Sequence, residues 1–184
     1  MRTFDKLGAA RSQLDTAIEL FFQEKDEVSI HTLTSASFTI LRDLGRRRGM
    51  PDPFEFTNNA PGVLKKKIIS LLNEPQNFFK HADSDPSSLL HFNPTRTIYD
   101  MLMASSLYTQ ISQKASPLMT LFTIWFFTYR KDKLPEMLHI GLLSNEEKTE
   151  ILNLIEGRDH NDRQSFLNLL PALERGGLTD LLLR

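Results

Sequence analysis

Residues 116–130 read SPLMTLFTIWFFTYR, and this stretch decides the fold class. Serine is a favoured helix N-cap, and proline is favoured at the first helical position because it has no N–H group to leave unbonded. The residues that follow Pro117 are apolar on nearly every side of a helix. We therefore predict a helix at the centre of a bundle. Its apolar run of about 12 residues is shorter than the roughly 20 residues of a membrane span, so we expect no membrane association.

Segments before and after this helix in the sequence have apolar residues at every third or fourth position. This spacing is typical of amphipathic helices. These patterns lie in residues 6–23, 29–48, 64–72, 95–111 and 162–173. Ser144 and Glu147 form a capping box at the start of a further helix. No segment alternates with a period of two for long enough to predict a strand. The sequence thus predicts an all-α fold, a bundle of about six to eight helices.

Two interruptions are expected in this helical pattern. Residues 50–61 are rich in proline and contain two adjacent asparagines, which predicts a surface loop. Pro75 follows a helical stripe and should interrupt or kink that helix, because proline removes a backbone donor and clashes with the preceding turn.

Composition limits the classes of function. The chain has 184 residues, which suits one hydrophobic core, so we predict a single domain over residues 1–184. Twenty-two Lys and Arg balance 23 Asp and Glu, so the chain has no net positive charge to attract a polyanion. We therefore do not expect nucleic-acid binding. The absence of cysteine excludes disulfides, thiol nucleophiles and cysteine-ligated zinc. The first residues lack the apolar core of a secretory signal, so we predict a cytoplasmic protein.

One segment concentrates ionisable residues beside aromatic ones. Residues 74–92 read EPQNFFKHADSDPSSLLHF. If the first part is helical, Asn77 and His81 are four residues apart and face the same side, while Phe78 and Phe79 point inward. The sequence therefore predicts a polar cluster at the end of an apolar helix.

A metal site is one interpretation of this cluster. His81, Asp83 and Asp85, together with His91 or His31, could bind a divalent ion. Imidazole and carboxylate ligands suit zinc, manganese or iron. Three protein ligands and an open position would allow metal-assisted hydrolysis.

Ordinary structural roles are the other interpretation of the same residues. Asp83 or Asp85 could cap a turn before Pro86, and Lys80 and His81 could interact with the C-terminal end of the preceding helix. This interpretation explains each residue type, but it does not explain why so many polar groups gather at one apolar elbow.

The stretch NFFKHADSDP, residues 77–86, resembles the signature of a family of uncharacterised bacterial proteins of similar length. In that family a helical chain carries an NFFKHAD motif followed by Asp-Pro. The resemblance covers roughly residues 15–110. It implies a bacterial all-α protein and brings no activity with it.

The polar Asn-x-x-Lys-His group near a helix end more distantly resembles HEPN domains, whose members bind nucleotides or cleave RNA. The nuclease members place an arginine before a histidine with four to six residues between them. None of the five histidines here has an arginine at that spacing. The resemblance therefore implies a non-catalytic, dimerising module rather than a nuclease.

An aromatic cluster in the central helix allows three interpretations. Phe122, Trp125, Phe126, Phe127 and Tyr129 could form core, a dimer face or the wall of a ligand pocket. Burial distinguishes them, because exposed rings favour association and rings around a cavity favour a small-molecule site.

Two functional hypotheses follow. In the first, the chain is a non-enzymatic binding or regulatory module that forms a homo-oligomer, and Asn77, Lys80, His81 and Asp83 contact an unidentified small ligand. In the second, it is a metal-dependent hydrolase with a His/Asp site in residues 81–91. The sequence leaves open whether the protein is an enzyme.

Overall fold

The computed structural model describes residues 1–55, 61–81, 83, 86–133 and 152–175. These residues form seven α-helices and no strand, which confirms the predicted all-α bundle. The helices are α1 Lys6–Phe22, α2 Glu27–Arg47, α3 Gly62–Phe78, α4 Thr95–Ser112, α5 Pro117–Tyr129, α6 Arg163–Leu167 and α7 Leu170–Glu174. Residues 152–155 are also helical. The predicted capping box of Ser144 and Glu147 lies outside the described residues.

Side-chain caps fix the starts of three long helices. The Asp5 carboxylate accepts the N–H of Gly8 at the start of α1. The Asp26 carboxylate accepts the N–H of Ser29 at 2.8 Å at the start of α2. The Ser116 hydroxyl accepts an N–H at 3.1 Å at the start of α5, as predicted, and Pro117 is the first residue of that helix. Each cap satisfies a donor that the helix itself leaves unbonded.

Helix α5 lies in the core, as its sequence predicts. Leu121, Phe122, Ile124 and Trp125 are each at most 1% exposed. Helices α1 and α2 pack together, α4 packs on α2, and α5 contacts α1, α4, α6 and α7. The buried apolar side chains of these helices form one cluster. No helix in the described part of the chain is long and apolar enough to cross a membrane.

Helix α3 lies at the edge of this core. Pro75 is the only buried residue among its 17 residues. The helix is not interrupted at Pro75, because it continues to Phe78. Proline cannot donate an N–H to the carbonyl four residues earlier, which belongs to Leu71. Nη1 of Arg96 donates to that carbonyl at 2.9 Å, and Nη2 donates to the carbonyl of Leu72. Arg96 therefore supplies the hydrogen bond that Pro75 removes.

The predicted loop after α2 is anchored where the structure describes it. Phe54 is buried, and its ring lies 5.6 Å from that of Phe38. The Arg42 guanidinium lies 4.5 Å from the centre of the Phe54 ring and pairs with Asp52 at 2.8 and 2.9 Å. Residues 56–60 lie outside the described residues. The described part of this loop thus contributes to the core.

The C-terminal apolar pattern forms two short helices instead of one continuous segment. Asp162 caps α6, and its carboxylate accepts the N–H of Ser165. Pro171 lies in the first turn of α7. Because proline cannot continue the hydrogen bonding of α6, the helix ends at Leu167 and restarts at Leu170.

Candidate functional site

The end of α3 and the chain that follows it surround an open depression of about 680 Å³, here called the elbow depression. Its lining includes the polar residues Glu74, Asn77, His81 and Asp83 and the apolar residues Leu71 and Leu89. Glu74, Asn77 and His81 are spaced by three and four residues, so they project from the same side of the chain at the end of α3. The structure thus brings Asn77, His81 and Asp83 together, and it adds Glu74, which the sequence interpretation did not include.

Four polar side chains of the elbow depression have no partner among the residues that the structure describes. Glu74, Asn77, His81 and Asp83 are exposed. Their side chains form no hydrogen bond or ion pair with any residue that the structure describes. Within the described residues, a role as turn cap or helix-end partner would require such bonds. These groups are therefore available to a ligand.

Other predicted site residues lie elsewhere. Lys80 and His91 are exposed, and neither lines the elbow depression. Asp85 lies outside the described residues. Within the described ranges, no three His, Asp or Glu side chains are grouped closely enough to hold a metal ion. Of the predicted metal ligands, His81 and Asp83 line the same depression. The metal site itself stays a prediction.

His31 is buried in the core, 1% exposed. A hydrogen bond of 2.9 Å joins its Nδ1 to Oγ1 of Thr97, and one of 3.1 Å joins its Nε2 to Oγ of Ser35. The rings of Phe79 and Phe92 meet the imidazole edge-on at 5.8 and 5.0 Å. Both ring nitrogens are occupied, so His31 connects α2, α4 and the elbow instead of facing the elbow depression.

Burial determines the protonation state of His31. The loss of solvent lowers the pKa of its imidazole to about 4, and the positive charges of Arg96 and Lys80 add smaller effects in the same direction. The ring is therefore neutral at pH 7. The charge of Lys80 thus acts on His31, and Lys80 does not line the elbow depression.

A buried carboxylate was missed by the sequence interpretation. Asp100 of α4 is 7% exposed, and burial raises its pKa to about 6 although Arg96 opposes this effect. Oδ2 of Asp100 lies 3.5 Å from Nε of Arg96. The same guanidinium donates to the carbonyls of Leu71 and Leu72, so Asp100 is linked through Arg96 to the helix that lines the elbow depression. Their four-residue separation within α4 was the available sequence signal.

The aromatic cluster of α5 belongs to the core. Phe122, Trp125, Phe126 and Phe127 are at most 9% exposed. Tyr129 is partly exposed and lines a second cavity. Because the three phenylalanine rings and the tryptophan are buried, they do not form an exposed dimer face.

Comparison of the chain with protein-family models, with curated proteins and with solved structures found no match. The site is therefore interpreted from its own geometry.

Proposed function

We propose that the chain is a non-enzymatic binding or regulatory module whose ligand occupies the elbow depression. One observation supports the proposal: four polar side chains that have no partner in the described part of the chain lie together in one open depression. Exposed polar groups beside exposed apolar ones are typical of a recognition surface.

The charge of the lining indicates the chemistry of the ligand. Glu74 and Asp83 contribute two carboxylates, and no Lys or Arg of the described ranges lines the depression. Leu71 is 55% exposed and Leu89 is 91% exposed, so an apolar surface lies beside the carboxylates. A protein segment that carries a basic side chain next to an apolar one complements this surface. We therefore propose such a segment as the partner.

The proposal extends to the biological setting that the sequence suggests. It places the chain in the bacterial cytoplasm and in the family that the NFFKHAD motif resembles. It also includes self-association. Since the aromatic residues of α5 are buried, a second copy would have to cover other apolar side chains, among which Val63 and Leu64 of α3 are exposed.

A metal-dependent hydrolase is the second candidate. His81 and Asp83 line the same depression, and this is the observation that favours it. The hydrolase requires a third ligand, for which the sequence offers Asp85 or His91. Metal analysis distinguishes the two functions.

The binding proposal can be tested by calorimetric titration with N-acetyl-Leu-Arg-amide. The matched control probe is N-acetyl-Leu-citrulline-amide, which has the same shape and no charge. We expect the arginine probe to bind more tightly, and we expect Glu74→Gln and Asp83→Asn each to weaken it by about two- to fivefold, the effect of one exposed ion pair. Lys80→Gln is the control variant, because Lys80 is exposed nearby but does not line the depression.

Equal affinity for the two probes would contradict recognition of a cation. Unchanged affinity in the double variant of Glu74 and Asp83 would show that the probe binds elsewhere and would contradict the elbow depression as its site.

A further inference from the structure

A second cavity of about 360 Å³ lies among five helices, and we call it the interhelical cavity. It is bordered by the α1–α2 turn and by residues of α1, α2, α4, α5 and α6. Its volume falls within the range of roughly 300–1,000 Å³ that small-molecule sites occupy. The elbow depression shares no lining residue with it, so the two sites are separate.

Charges of both signs line this cavity. Arg163 and Lys25 contribute cations, and Glu24 and Glu27 contribute carboxylates. No ion pair or side-chain hydrogen bond joins any of the four to another residue in the described ranges. Opposite charges that face one cavity and stay apart leave room for a ligand that carries both signs.

Aromatic rings hold the guanidinium of Arg163 in place. It lies 4.2 Å from the centre of the Phe21 ring and 5.8 Å from that of Trp125. A guanidinium stacked in this way keeps its N–H donors for an in-plane partner, and a carboxylate matches that donor fork. The cation is thus prearranged for a carboxylate.

One of the opposite carboxylates, Glu24, lies in the turn that ends α1, and the other, Glu27, begins α2. Glu24 has a φ of 53°, in the left-handed region that side chains other than glycine rarely adopt. The N–H of Lys25 bonds to the carbonyl of Leu20 at 3.0 Å, which fixes this turn. The N–H of Glu24 bonds to the carbonyl of Phe21 at 3.2 Å, so these two bonds form the Schellman motif that commonly ends a helix, and the turn places Glu24 at the edge of the cavity.

The remaining walls are apolar and contain one buried hydroxyl. Ile30, Ile98 and Tyr129 line the cavity, and they suit the aliphatic part of a ligand. Thr97 also lines the cavity and is 4% exposed. Its hydroxyl is hydrogen-bonded to His31. The site therefore combines cation, carboxylate, hydroxyl and apolar surfaces.

We infer that the interhelical cavity binds a small zwitterion with an apolar side chain, of the α-amino-acid class. The ligand carboxylate binds Arg163, its ammonium group faces Glu24 and Glu27, and its side chain packs against the isoleucines and Tyr129. Recognition of both charged ends at once makes the site selective for the zwitterion over either singly charged analogue.

Fluorescence of Trp125 provides the test, because it is the only tryptophan of the chain. Its ring stacks on Tyr129 at 5.2 Å with an interplanar angle of 8°, so occupation of the cavity should change its emission. The probes are L-leucine, 4-methylpentanoate, which lacks the ammonium group, and 3-methylbutylamine, which lacks the carboxylate. We expect saturable binding of L-leucine and at least about tenfold weaker binding of either analogue, because each lacks one charge-assisted contact.

Variants assign the binding to this cavity. Arg163→Gln should weaken L-leucine binding by about tenfold or more, and Arg163→Lys, which keeps the charge without the fork, should also weaken it. Arg158→Gln is the matched control: its guanidinium lies 5.5 Å from the Phe166 ring, outside the cavity, and its loss should leave binding unchanged. Circular dichroism checks that each variant is folded.

Three results would overturn the inference. These are no saturable change with L-leucine up to its solubility limit, equal binding of L-leucine and either analogue, or wild-type affinity in folded Arg163→Gln and Arg163→Lys variants.

Discussion

Oγ1 of Thr97 lies 2.9 Å from Nδ1 of His31, and this buried hydrogen bond joins α4 to α2. The other ring nitrogen of His31 is bonded to Ser35. The imidazole is thus fully paired in the core, and it joins two of the helices that line the interhelical cavity.

Removal of the Thr97 hydroxyl should destabilise the protein. Thr97→Val keeps the shape and leaves a buried nitrogen of His31 unpaired, so we expect a loss of about 1–3 kcal/mol in the free energy of unfolding. Urea denaturation at pH 7 measures it. Thr128→Val is the control, because Thr128 is also buried and its hydroxyl donates to the carbonyl of Ile124 in its own helix. Equal losses in the two variants would contradict a special role for the Thr97–His31 bond.

Stability should depend on pH through two buried groups with opposite effects. The pKa of His31 falls from 6.5 to about 4 on folding, so the unfolded chain binds more protons between these values and His31 makes stability rise with pH. The pKa of Asp100 rises from 3.8 to about 6, so the folded chain binds more protons there and Asp100 makes stability fall with pH. Each shift corresponds to about 3 kcal/mol, so the two effects largely cancel.

Single substitutions should separate these two effects. Asp100 makes a contribution to the free energy of unfolding that decreases as pH rises, and Asp100→Asn removes it. The free energy of unfolding of this variant relative to wild type should therefore rise by about 3 kcal/mol between pH 4 and pH 7. His31→Gln removes the rising contribution and should show a relative change of opposite sign. Urea denaturation at half-unit pH steps measures both. Parallel pH profiles for wild type and Asp100→Asn would contradict an elevated Asp100 pKa.

Arg96 should hold α3 in place. Its guanidinium donates to the carbonyls of Leu71 and Leu72, the first of which has no N–H partner from Pro75. Pro75 is the only buried residue of α3, so few other contacts hold this helix. Arg96→Gln should therefore increase hydrogen exchange in α3 selectively and leave α1 and α2 protected. Hydrogen exchange followed by mass spectrometry measures this. Arg11→Gln, which removes an exposed pair with Asp15 on α1, is the control.

Pro75→Ala provides a further check on Arg96, because alanine supplies the missing N–H for the Leu71 carbonyl. In that background Arg96→Gln should increase exchange in α3 less than it does in the wild type. The same increase in both backgrounds would contradict the compensation between Arg96 and Pro75.

Metal content separates the two candidate functions. If the chain is a binding module, protein purified without chelator should contain no stoichiometric transition metal, and its melting temperature should be unchanged in EDTA. Elemental analysis and thermal unfolding measure these quantities. Roughly one ion per chain that is lost in both His81→Ala and Asp83→Ala would support the hydrolase instead.

The sequence predicts what depends on local pattern. The cap at Ser116 and the buried helix α5 follow from residue types and spacing within a few helical turns. The shared face of Asn77 and His81 is local for the same reason.

Features that depend on tertiary contacts could not be predicted in this way. Pro75 signals the end of a helix unless a distant donor replaces its N–H, and Arg96 lies more than twenty residues away in the chain. The interhelical cavity likewise requires the packing of five helices, so no single motif predicts that Arg163 and Glu24 line it. Pro171 was a local signal for the break between α6 and α7 that the apolar spacing obscured.

The most direct test of the central claim is an amide ¹H–¹⁵N NMR titration with N-acetyl-Leu-Arg-amide. We expect the largest shifts at the amides of Glu74, Asn77, His81, Asp83 and Leu89, and we expect the citrulline probe to produce much smaller shifts. Shifts confined to other parts of the chain, or identical shifts with both probes, would contradict the elbow depression as a site for a basic ligand.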